Sequence, residues 1–112
     1  MAAGNGSLPY SVSIPQPLLD QLRVWADEAK RLGVGAEFLA ALREIRHRLK
    51  TNPHGWGDRL REYPVINAAE MRGMLPKWLL VWYGVHEQAR QVVVRQLLPA
   101  PGSPLSPPPT SS

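Results

Sequence analysis

The residues best equipped for chemistry in this 112-residue sequence are cationic. Arg59, Arg61, Arg72 and Lys77 follow one another closely, and clustered guanidinium and ammonium groups hold phosphate oxygens through charge-assisted hydrogen bonds. His54 stands just ahead of Arg59 and Arg61, where an imidazole could move a proton beside a bound phosphate. Arg72, Arg61 and His54 are accordingly the candidate catalytic residues, and the alternative reading of each is a solvated surface group. The other histidines offer less. His47 lies between Arg46 and Arg48, His86 falls in a turn, and no two histidines are spaced for a shared metal. The absence of cysteine excludes thiolate nucleophiles, disulfides and Cys-based zinc sites, and no motif calls for a cofactor.

Aromatic side chains supply the second set of candidates. Alternation along Trp78 to Val85 puts Trp78, Leu80, Trp82 and Gly84 on one face of a strand, and Leu79, Val81, Tyr83 and Val85 on the other. If the second set packs on the helices, the tryptophans stand on the opposite face, placed to stack on unpaired bases or to meet a partner helix. The competing reading has Trp82 covering a second layer of core. Arg59, Lys77, Trp78, Trp82 and Arg46 are the candidate partner or nucleic-acid contacts. Arg46 belongs to a basic run, Arg43, Arg46, Arg48 and Lys50, which is either the wet face of a helix or a basic surface for a partner.

These residues need elements to position them. Tyr10 to Ile14 alternates apolar and polar side chains as a half-buried strand does, and it stops at Pro15 and Pro17, which suit the first turn of a helix. Leu18, Leu19, Leu22, Trp25, Ala26, Ala29 and Leu32 follow the period of a one-sided helix, with Lys30 and Arg31 in its last turn and Gly33 as its cap. A second stripe, Phe38, Ala41, Leu42, Ile45 and Leu49, runs to Asn52 and Pro53, and the short link makes the two an antiparallel helical hairpin. His54 to Gly57 reads as a turn. Arg59 to Tyr63 is either a short edge strand limited by Pro64 or an extended loop, and Val65 to Leu75 mixes helix formers with a strand centred near Arg72. The two-sided apolar run Trp78 to Val85 predicts a central strand, and Gln91 to Leu98 returns as its hairpin partner. The predicted fold class is α+β: strand, helix, helix, then strands, with the helical pair packed on one side of an antiparallel or mixed sheet.

A chain of this length supports one core. Residues 1–8 read as a flexible N-terminus, 9–98 as the folded domain, and 99–112 as a disordered Pro/Ser-rich tail that is either solvated or a ligand for a proline-binding domain. The net charge is +4, with thirteen Lys and Arg against nine Asp and Glu, and ten of the thirteen are arginine. That balance suits a nucleic-acid or acidic protein partner, and equally a solubilising surface. The N-terminus lacks the basic start and apolar stretch of a secretory signal, and no apolar run approaches the roughly 20 residues that span a bilayer. The expectation is a cytoplasmic protein without a membrane partner.

The element order, together with the Tyr10 to Ile14 strand, the second helix with Phe38, Ala41, Leu42, Ile45 and Leu49 entering Asn52-Pro53, Gly57, and the hairpin of Leu79 to Val85 with Arg90 to Val94, resembles the RelE/ParE superfamily of small bacterial toxins. The likeness covers roughly Tyr10 to Leu98. It implies a toxin of a type II toxin-antitoxin system, of the kind tied to plasmid stabilization, which inhibits growth at a translation or DNA-topology target and is neutralised by a cognate antitoxin wrapping its sheet and helical hairpin. Members of that superfamily either cut messenger RNA on the ribosome or poison DNA gyrase, so the implied partners are an antitoxin and either ribosome and mRNA or gyrase. For a ribonuclease the family supplies basic residues on the central strands and an Arg, His or Tyr near the C-terminus. Arg72 matches one such strand base. Leu80 stands where RelE-like enzymes carry an arginine, and Leu98 to Gly102 offers neither acid nor base. The resemblance therefore implies a toxin acting by binding, with a ribosome-dependent mRNA endonuclease and a degenerate interaction protein as the alternatives.

Overall fold

The computed structural model describes residues 9–107. Strand β1 (Ser11–Ser13) turns Val12 inward between two exposed serines, and Pro15 then starts helix α1 (Gln16–Arg31). Proline suits that first turn because its missing N–H would have no partner inside the helix. Helix α1 buries Trp25 and Ala29 and ends where Gly33, at φ 79°, donates to the Lys30 carbonyl. Helix α2 (Gly35–Thr51) buries Phe38, Ala41, Ile45 and Leu49, the inward stripe expected of it. Asn52 closes it, and its side chain accepts from the Gly55 N–H to hold the single turn α3 (Pro53–Trp56).

Four strands follow: β2 (Asp58–Tyr63), β3 (Ala68–Leu75), β4 (Leu79–His86) and β5 (Gln91–Pro99), with a short 3-10 turn, Pro64–Ile66, between β2 and β3. They form one five-stranded mixed sheet in the order β1-β5-β4-β3-β2, in which only the β1–β5 pairing is parallel. The stretch Arg59 to Tyr63, expected as edge strand or loop, is the edge strand, and it begins one residue earlier. The helix formers of Val65 to Leu75 yield to sheet pairing, in which Ala68 to Leu75 run in unbroken register with β4.

The core lies between the helical hairpin and one face of this sheet. Leu79, Val81, Tyr83 and Val85 are buried to 1% exposure or less. They pack with Met71, Val92 and Val94 against Trp25, Phe38, Ile45 and Leu49. Burying a large apolar side chain contributes roughly 1.5–3 kcal/mol, so this layer is the main source of stability. Among the described residues no helix is long and apolar enough to cross a membrane.

Two expectations are corrected. The chain from Pro99 to Pro107 is not a solvated tail. Pro99 pairs with Leu79 at the end of β5, Ala100 donates its N–H to the Trp78 carbonyl, and Leu105 inserts into the core at 4% exposure. The Trp25 indole N–H donates to the Ser106 carbonyl at 2.8 Å, and the Glu28 carboxylate accepts from both the N–H and the hydroxyl of Ser106. These bonds hold Glu28 below its ordinary carboxylate range. Residues 1–8 and 108–112, expected to be flexible, lie outside the described residues. The second correction concerns Trp78, which does not share a face with Trp82. It precedes β4 in a turn where Lys77 takes φ 73°, and its half-buried ring tilts onto Phe38 at 5.7 Å on the core side.

Candidate functional site

The sheet face turned away from the helices is uncovered by any described element. Register places Arg72 opposite Trp82, Met74 opposite Leu80 and Glu70 opposite Gly84. The alternation expected of β4 holds here: Leu80 and Trp82 are half-exposed while Leu79, Val81 and Tyr83 are buried. On β2, Arg61 stands opposite Glu70, and the Tyr63 hydroxyl donates to Glu70 at 3.2 Å. On β5 the register shifts beside Trp82, leaving Arg95 and Gln96 both exposed. Because Gly84 has no side chain, a depression of about 200 Å³ opens over it, bounded by Tyr63, Glu70, His86 and Arg95. The face therefore combines an aromatic centre, an apolar end at Met74 and Leu80, and three arginines.

His54 is on the other side. Strand β2 bulges between Arg59 and Arg61, and Arg59, paired with buried Met71, faces the helix side while Arg61 faces away. The proposed trio of Arg72, Arg61 and His54 is thus divided, with the two arginines on the open face and the histidine across the sheet. His54 Nε2 lies 2.7 Å from Glu87 Oε1, and the Tyr10 hydroxyl donates to the same carboxylate at 2.5 Å. Arg90 Nη1 is 3.6 Å from Glu87 and its guanidinium lies over the Tyr10 ring. The Tyr10 and His54 hydrogen bonds, with the Arg90 charge, hold the Glu87 carboxyl below its ordinary range, while burial and the Glu87 contact push the Tyr10 hydroxyl up.

An ionised carboxylate only accepts, so His54 presents an Nε2–H to Glu87. Its Nδ1 then faces Arg59 Nη2 at 3.5 Å, and Arg59 pairs in turn with Glu62. This chain of partners ties β1, α3, β2 and the β4–β5 turn together. Both ring nitrogens of His54 are therefore engaged, one by Glu87 and the other by Arg59. No protein-family model matches the chain, and no curated protein or solved structure matches it either.

The remaining candidates are dispersed. Lys77 is exposed in the β3–β4 turn. Arg46 sits on the lip of an apolar groove of about 350 Å³ between the helical pair and β1, where Val12, Ile14, Leu19, Leu22 and Leu42 form the walls. Among the described residues no group of three or more His, Cys, Asp or Glu side chains is placed to hold a metal ion. Sequence reasoning missed Tyr10 and Glu87, which meet His54 only through tertiary structure, and Arg90, which joins them through Glu87 and Tyr10. It also missed Trp56, whose ring stacks on Tyr83 at 5.8 Å and 14°. The one local signal for that seat is the glycine pattern: a Cβ on Gly73 would come within 2.6 Å of the Trp56 ring, and one on Gly57 within 2.7 Å of the Tyr83 hydroxyl.

Proposed function

We propose that this chain is a RelE/ParE-like toxin component of a bacterial type II toxin-antitoxin system, inhibiting growth by binding a translation or DNA-topology target and neutralised by a cognate antitoxin. The order of strand, two helices and four strands, with the helical hairpin on one face of a mixed sheet, supports the RelE/ParE-like fold. The observation that carries the functional reading is the open sheet face. An exposed face bearing Trp82 beside Arg72, with Leu80 and Met74 continuing it, has the aromatic and arginine anchors that dominate binding surfaces.

The groove beside Arg46 supports the antitoxin half of the reading. Its apolar walls suit the apolar side of an amphipathic helix, and Arg46 at the lip suits a carboxylate from that helix. Binding rather than cleavage is favoured because His54, the one histidine among the proposed catalytic residues, lies across the sheet from Arg61 and Arg72.

Induction of the chain alone in a bacterium tests this reading. Growth arrest is expected, relieved by co-expression of a short adjacent reading frame and lost in the variant carrying Arg72→Ala and Trp82→Ala. Transcripts are expected to stay intact. Ribosome-associated cleavage that disappears in Arg72→Ala would establish the endonuclease alternative instead, and normal growth with soluble, folded chain would leave only an interaction role.

A further inference from the structure

Strand β2 begins its pairing at Asp58 opposite Arg72, so Gly73, Met74 and Leu75 run on past it with no strand on their outer side among the described residues. A recess of about 350 Å³ opens at this free edge, within the size range of small-ligand sites. Trp56, Asp58, Arg72, Met74 and Leu80 line it. Asp58 and Arg72 face each other in register, yet they form no ion pair and neither side chain hydrogen-bonds elsewhere among the described residues. Opposite charges across a strand pair normally meet. Here they flank an open recess, each with its hydrogen-bonding capacity unused.

The aromatic wall is fixed in advance. Trp56 stacks on Tyr83 and sits on Gly73 with no room for a Cβ, so the indole is held in place along the wall of the recess. Tyr83 is itself anchored, donating its hydroxyl to the Pro53 carbonyl.

We propose that this recess binds a guanine nucleotide, with Trp56 as the stacking wall, Asp58 as the acceptor for the base edge and Arg72 as the phosphate contact. An ionised carboxylate offers two acceptor oxygens and no donor. Guanine presents two adjacent N–H donors on one edge, its ring N1–H and its exocyclic amine, and so fills both oxygens at once. Adenine and cytosine set one amine beside a ring acceptor on that edge, and uracil sets one N–H between two carbonyl oxygens that the carboxylate repels. Arg72 holds phosphate bidentately, in keeping with the net charge of +4. Met74 and Leu80 supply the apolar remainder of the lining.

The recess shares Arg72 with the open face, and the two readings are separated because nucleotide binding is tested on purified chain through Asp58, and growth arrest in cells through Arg72 and Trp82. Titration calorimetry of the full chain at low salt with GMP, AMP, CMP and UMP is the experiment. GMP is expected to bind at least tenfold more tightly than AMP. Asp58→Asn should erase that preference, while Arg72→Gln should weaken all four nucleotides by a common factor and leave guanosine, which lacks the phosphate, unchanged. Asp58 and Arg72 are both exposed, so neither substitution disturbs the core, and thermal denaturation of each variant checks this. Equal affinity for all four nucleotides, no GMP binding, or a GMP preference that survives Asp58→Asn would each overturn the proposal.

Discussion

The indole N–H of Trp25 donates to the main-chain carbonyl of Ser106, 81 residues further along the chain. Trp25 is 1% exposed, and losing Ser106 would leave its N–H buried without a partner. Leu105, the next residue back, is the hydrophobic anchor of the same segment. Leu105→Ala is expected to destabilise the domain by about 2–4 kcal/mol, as truncation of a buried leucine does. Urea denaturation measures it, and a chain ending at Gly102 should lose at least as much.

Gly73→Ala places a methyl group against the Trp56 ring, whose Cε3 atom lies 2.6 Å from the added Cβ. Overpacking of this kind costs about 1–3 kcal/mol. At this domain size that lowers Tm by at least about 4 °C. Combining it with Trp56→Ala should cost less than the sum of the single changes, since the second removes the clash that the first creates.

Alkaline stability should depend on Tyr83. Burial pushes its hydroxyl up to about 12, from an ordinary value of 10.0. Between these values the unfolded chain releases the proton and the folded chain retains it, so stability falls as pH rises through that window. The two-unit difference corresponds to at most about 3 kcal/mol. Tyr83→Phe should flatten the loss between pH 10.0 and about 12 in a pH series of chemical denaturation, leaving only the smaller contribution of Tyr10.

Acid behaviour should depend on Glu87. Its carboxyl is held below the ordinary value of 4.5 by the Tyr10 and His54 hydrogen bonds and the Arg90 charge. The stabilisation is present above 4.5 and is lost as pH falls through the lower folded value. Glu87→Gln should therefore lower the thermal midpoint at neutral pH and shallow its decline below pH 4.5. An unchanged acid decline would mean that other carboxylates govern it.

Much of this architecture is legible in local pattern. The stripes Phe38, Ala41, Ile45, Leu49 and Leu79, Val81, Tyr83, Val85 carry their own periodicity, and each becomes the buried face of the element it predicts. What escapes is set by distant partners. Pro99 to Pro107 has the composition of a solvated tail, and it is ordered only because Trp25 and Glu28 bind Ser106 and the core accepts Leu105. Trp78 follows the alternation of β4 on paper, but the left-handed Lys77 swings it aside before the strand begins. The division of Arg59 from Arg61 rests on one extra residue in β2, which strict alternation cannot foresee. Tyr10 and Glu87 are 77 residues apart, and no spacing rule connects them.

The parallel pairing of Ser11, Val12 and Ser13 with Gln91, Val92 and Val93 has a consequence for biosynthesis. Strand β1 has no sheet neighbour until β5 has been made. The helical hairpin forms its contacts early, while its sheet stays unfinished through most of translation. The sheet therefore closes around β1 only after residues 91–93 have been made, well after the local contacts of the helical hairpin can form.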